Sequence, residues 1–109
     1  GGAVGQFVIA AYKPKPGKEA GLLAVVKEHL PILRQEGLAT NRPAHTMRCM
    51  DGTIIEVFEW ESAAAIEAAH KNPNVLAMWG RFNEVCDIVK LVDLTESREM
   101  FAGFEPIEL

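Results

Sequence analysis

Apolar residues run almost unbroken over residues 6–13 (QFVIAAYK), a pattern that predicts a strand buried on both faces. Pro14, Pro16 and Gly17 end it. Over residues 18–36 the apolar positions fall at Leu22, Val26, His29/Leu30 and Leu33, one stripe at helical spacing. Pro31 lies inside that stripe and predicts a kink or a split, and Gly37 is a natural stop. Residues 40–50 read as a second strand, with Pro43 arguing for an edge or a bulge. Asp51-Gly52 signals a tight two-residue hairpin into residues 53–60 (TIIEVFEW), a β-branched and aromatic third strand. Ser62 suits the N-cap of a helix over residues 63–70. Asn72-Pro73 interrupts that helix and opens another, with Asn72 as its cap, carrying Val75, Leu76, Met78, Trp79, Phe82, Val85 and Cys86. Residues 88–94 (IVKLVDL) read as the last strand. The tail, residues 95–109, is expected to hold one helical turn and an extended end. The order is β-α-β-β-α-β, which predicts an α+β, ferredoxin-like sandwich with an antiparallel sheet over residues 6–94.

Both faces of that sheet are apolar. In the third strand Ile54, Phe58 and Trp60 oppose Ile55 and Val57; in the first, Val8, Ala10 and Tyr12 oppose Phe7, Ile9 and Ala11. In the last strand Ile88 and Val92 oppose Val89 and Leu91. Two helices cover one face only. A bare apolar face of several hundred Å² is rare on a soluble monomer, so a second copy packed over it by a two-fold axis is expected. The other possible cover, the chain's own tail, is short and carries Glu96, Arg98, Glu99, Glu105 and Glu108.

The 109 residues make one domain, and 49% apolar with 24% charged is an ordinary soluble composition. The net charge of −4 and the lack of a basic cluster beyond Lys13, Lys15 and Lys18 argue against nucleic acid and anionic membrane as partners. No apolar run approaches the roughly 20 residues of a membrane span. No basic-then-apolar leader opens the chain, and residues 1–5 (GGAVG) look like a tag remnant and a short lead. Cys49 and Cys86 form neither a metal spacing nor a C-x-x-C pair, which reads as two reduced, buried thiols in a cytoplasmic protein. The three histidines show no i,i+4 pairing and no carboxylate pattern of a zinc or iron site, so no metal is expected.

Three segments carry a family resemblance: the first strand running into Lys15-Pro16-Gly17-Lys18; the strand ending at Trp60 followed by Glu61-Ser62; and residues 69–79 (AHKNPNVLAMW). Together they resemble the dimeric α/β-barrel superfamily and, within it, the antibiotic-biosynthesis monooxygenase-like domains. The resemblance implies a cavity between sheet and helices in each protomer, in which some members oxygenate electron-rich aromatic compounds with no metal and no flavin. Such chemistry needs a base, a donor for the developing oxyanion and an apolar box. No cofactor is expected. The haem-degrading branch fits poorly. Its helix-borne His ligand would fall near Gly80, and its first-strand Asn is replaced by Ala10 and Ala11.

His70 is the candidate base. It closes a half-helix, where the charged imidazole is favoured and burial must offset that effect. It also reads as a cap of free carbonyls. Trp79 could supply an indole N–H and a flat wall, because the break at Pro73 removes the half-turn that would otherwise separate it from His70. Phe82 could line the substrate pocket beside Trp79 or simply pack with it. Asn74 could bind a substrate oxygen or simply start its helix. Tyr12 could face the cavity or wet its hydroxyl at the rim. His45, sharing a strand face with Met47 and Cys49, could touch substrate or pack at the dimer seam. Trp60 and His29 read as packing residues, His29 as a satisfied core histidine. The alternative to an enzyme is a non-catalytic dimeric module of the same fold that binds a small apolar ligand or serves in a stress response.

Overall fold

A computed structural model describes residues 5–109; residues 1–4, most of the expected tag remnant, lie outside them. The strands are β1 (Gln6–Pro14), β2 (His45–Arg48), β3 (Ile54–Trp60), β4 (Cys86–Val89) and β5 (Glu105–Pro106); the helices are α1 (Glu19–Gln35), α2 (Ala63–Ala69) and α3 (Pro73–Val85). They build an antiparallel sheet in the order β4-β1-β3-β2-β5 with the helices on one face. The α+β ferredoxin-like expectation holds. Within the protomer the sheet is open, with β4 and β5 as its edges.

Several elements differ from the sequence reading. Helix α1 runs unbroken through Pro31, which sits exposed on its outer side. It stops where Gly37 takes a positive φ of 74°, and Leu38 N–H then bonds the Leu33 carbonyl. Strand β2 is shorter than expected. Pro43 falls in the loop before it, and β2 is no edge because β5 pairs alongside it. The β2–β3 connection has three loop residues, not two. Cys49 N–H bonds the Thr53 carbonyl, Gly52 N–H closes a turn on Cys49, and Gly52 holds φ at 93°. A type I turn followed by a left-handed residue makes this loop, and glycine fills that place without strain. The last strand begins two residues earlier than expected and ends at Val89, because residues 91–93 turn into a 3-10 helix.

The core lies between sheet and helices. Leu22, Leu33, Met78 and Val75 are buried there against Ile54, Phe58 and Trp60. On the far face a smaller cluster joins Ala11, Cys49 and Ile55 to Leu94, with Phe104 packed against it. Glu96 Oε2 ties the same segment down by accepting the Met50 N–H at 2.8 Å. The tail therefore roofs one end of the far face, contrary to the expectation that it would leave that face bare. At the other end Phe7 and Ile9 stay 55% and 51% exposed.

Candidate functional site

Ser62 takes the N–H of Ala65 on its side chain and starts α2. Asn72 Oδ1 accepts from Asn74 and Val75 and starts α3. The two short helices therefore meet at a corner. Across that corner the His70 and Trp79 rings stand edge to face, with centroids 5.1 Å apart. Nine residues of straight helix would have set them on opposite sides.

Both rings line a cavity of about 430 Å³ between the sheet and the helices. Val8, Ala10 and Tyr12 of β1 form its floor with Phe58 and Trp60 of β3; Phe82 and His29 close it from the helices. The lining is overwhelmingly apolar, and the volume lies within the range of small-molecule sites, roughly 300–1,000 Å³. Four of the expected site residues, His70, Trp79, Phe82 and Tyr12, thus share one cavity.

The other two do not reach it. Asn74 bonds Glu36 at 3.2 Å through its side-chain amide, on the outer stripe of α3 with Ala77 and Arg81. Its neighbour Val75, one helical step of about 100° away, takes the inward position. His45 pairs across from Val57 and points to the far face of the sheet, beside Met47 and Phe104. It is cut off from the cavity by the sheet itself.

Two residues matter more here than their sequence reading suggested. Glu56 shares the inward register of Ile54, Phe58 and Trp60 and is 2% exposed. Its Oε1 accepts the Tyr12 hydroxyl at 2.8 Å and the His29 Nδ1–H at 2.7 Å. A carboxylate oxygen accepts from both groups, which places a proton of His29 on Nδ1; in the neutral imidazole Nε2 is then the acceptor. Among the described residues Thr53 Oγ1 is the one fully buried side-chain nitrogen or oxygen without a partner. Among those residues Nε2 of His29 has no hydrogen-bond partner, and His29 lines the cavity. The Tyr12 phenol is pushed well above its ordinary value, first by burial and then by the charge of Glu56. It stays protonated and serves as a fixed donor to that carboxylate.

His70 is held differently. Its Nδ1–H donates to the Ile66 carbonyl at 2.8 Å, one turn back, as a helix-end cap does. The side chain stands exposed at the cavity mouth. Cys49 and Cys86 are buried and free, and burial above all pushes both thiols up to about 11. They stay protonated and unreactive at neutral pH. Among the described residues no group of three or more His, Cys, Asp or Glu could hold a metal ion.

An open antiparallel sheet with helices on one face and an apolar cavity between the two layers defines an α+β, ferredoxin-like domain. The family model for antibiotic biosynthesis monooxygenase matches residues 6–80, and the chain belongs to that family. The curated proteins hold no match to it. Among solved structures it is similar to PA3566 from Pseudomonas aeruginosa (TM-score 0.63, 20% identity, covering 82% of this chain and 92% of that one). It is also similar to Rv0793 from Mycobacterium tuberculosis (0.60, 18%, 84% and 98%). A conserved protein from Methanosarcina mazei Go1 is a third (0.62, 12%, 80% and 90%). At these identities the likeness speaks to the fold alone.

Proposed function

We propose that the protein is a monooxygenase that works without a cofactor, oxidising an aromatic or quinone-type small molecule in the cavity between sheet and helices. The reading rests on one observation above all: His29 is buried and lines an apolar cavity, while Glu56 holds its Nδ1 at 2.7 Å. We assign proton removal to His29 ahead of His70, because His29 is buried and has a carboxylate 2.7 Å away where an imidazolium would need one. His70 and Trp79 form the wall and mouth against which a flat ring would stack.

The reaction balances without an outside reductant. His29 takes the proton of a phenol. The phenolate passes one electron to O2, and radical and superoxide join as a carbon-bound peroxide. Loss of the C–H proton and cleavage of the O–O bond leave a carbonyl on the ring and release water, so phenol and O2 become quinone and H2O. The apolar walls lower the polarity around the intermediates.

The same proposal includes a homodimer through the uncovered end of the far sheet face and a reducing, cytoplasmic setting. The two free thiols suit that setting. No helix among the described residues is long and apolar enough to cross a membrane. The test is oxygen uptake with dihydroxynaphthalenes in an oxygen electrode. One O2 per quinone is expected, and His29→Ala should lower kcat by about 10²-fold or more. Tight binding with no uptake by the unaltered protein would leave a ligand-binding module instead.

A further inference from the structure

We propose, on the reading that His29 removes a substrate proton, that Glu56 passes that proton between the substrate cavity and a second, more polar one on its other side. The second cavity holds about 450 Å³ and opens partly to solvent. Val26 and Leu30 of α1, Thr46 of β2 and the end of the chain from Ile107 form its walls. Glu56 lines this cavity and not the first, whereas His29 and Tyr12 line the first and not the second. Its side chain lies in the wall between them.

The two oxygens of Glu56 divide the work. Oε1 is bonded to His29 and Tyr12. Oε2 has no hydrogen-bond partner among the described residues. Glu56 lines the second cavity, on the side away from His29 and Tyr12. A carboxyl 2% exposed, with one oxygen held by the protein and the other without a partner among the described residues, offers a proton two ways in and out.

The transfer balances as a two-way step. When Nε2 of His29 takes the phenolic proton, Nδ1 gives its own to Oε1 of Glu56, and the neutral Nε2–H ring stays beside the phenolate. The Glu56 carboxyl turns about its Cγ–Cδ bond, which carries the protonated oxygen to the second cavity, and there the proton passes to water. When the O–O bond breaks, Nε2–H supplies the proton that turns the leaving hydroxide into water, and Glu56 returns a proton to Nδ1. The starting tautomer is restored and no proton is gained or lost overall. The titratable and charged groups around this path are Tyr12 on β1, His29, Lys27 and Arg34 on α1, and Glu108 in the tail. Tyr12 stays protonated and so steadies the carboxylate without joining the exchange.

The test uses the intact protein without oxygen, mixed with 4-nitrophenol in weakly buffered solution with a pH-indicator dye. Phenolate absorbance reads ionisation in the cavity, and the dye reads arrival of the proton in bulk water. The unaltered protein is expected to show both together. Glu56→Gln should bind the probe and release no proton, and millimolar formate should restore release in Glu56→Ala. Ile107→Trp fills the second cavity away from His29, and should slow release by about tenfold or more while the phenolate still forms. Unchanged release in Ile107→Trp or in Glu56→Gln, or a probe that stays neutral in the unaltered protein, would overturn the relay. Since oxygen is absent, failure to consume O2 would defeat the monooxygenase reading alone.

Discussion

At the scale of single residues the fold is held by a few carboxylates placed where they cannot be protonated without loss. Glu59 Oε1 accepts from Arg42 Nε and Thr40 Oγ1, each at 2.8 Å, and these bonds hold its carboxyl below the ordinary value of 4.5. Asp51 is held below 3.8 by the N–H of Thr53, which closes the β2–β3 loop. A carboxyl lowered in the folded state stabilises the fold fully above its ordinary value, and the contribution drains away as pH falls through the folded value. Melting followed by circular dichroism should therefore be flat from pH 7 to about 5 and fall below about 4. Glu59→Gln should remove part of that acid dependence. A melting temperature as steep in Glu59→Gln as in the unaltered protein would assign the acid loss to other groups.

At the scale of elements, the corner between α2 and α3 makes the cavity. Asn72 caps α3 by two backbone bonds and also donates to Glu36 Oε1 at 2.8 Å, tying the corner to the end of α1. Asn72→Ala removes the cap and the tie. The loss of a cap costs about 1 kcal/mol, so a melting temperature lower by roughly 4–8 °C is expected. Weaker probe binding should accompany it, because His70 and Trp79 lose their fixed contact; Asn72→Asp should keep the cap. This corner was legible in the sequence, since Asn72-Pro73 is punctuation and Ser62 a cap. The β1 and β3 faces were legible too, from period-two alternation. Glu56 was hidden in plain sight: it shares the inward register of Ile54 and Phe58, where a charge demands partners, yet only the fold shows that His29 and Tyr12 supply them. Asn74 and His45 looked like ligands because residue type carries no direction. One helical step turned Asn74 outward, and the parity of β2 turned His45 to the far face. The two-residue β5 has no period to read, and the tail's roof depends on Leu94 and Phe104 meeting Ala11 and Ile55 across the chain.

At the scale of the whole molecule, the tail changes where a second copy can sit. It occupies the end of the far face near Cys49 and Ile55, leaving the other end, where Phe7 and Ile9 stand about half exposed and the Arg42 guanidinium lies 5.7 Å over the Phe7 ring. Burying two such side chains in each copy contributes several kcal/mol at about 25 cal/mol per Å². A carboxylate forced into that contact costs several kcal/mol in the other direction. Light scattering at micromolar concentration should give twice the protomer's 12.0 kDa, and Ile9→Glu should halve that mass with the circular dichroism spectrum unchanged. The cavity lies on the helix side of the sheet and Ile9 on the far side, so the separated protomer should still bind and ionise 4-nitrophenol. A variant that stays double in mass would move the contact elsewhere on the surface. One that separates and loses the probe would mean that the partner completes the site.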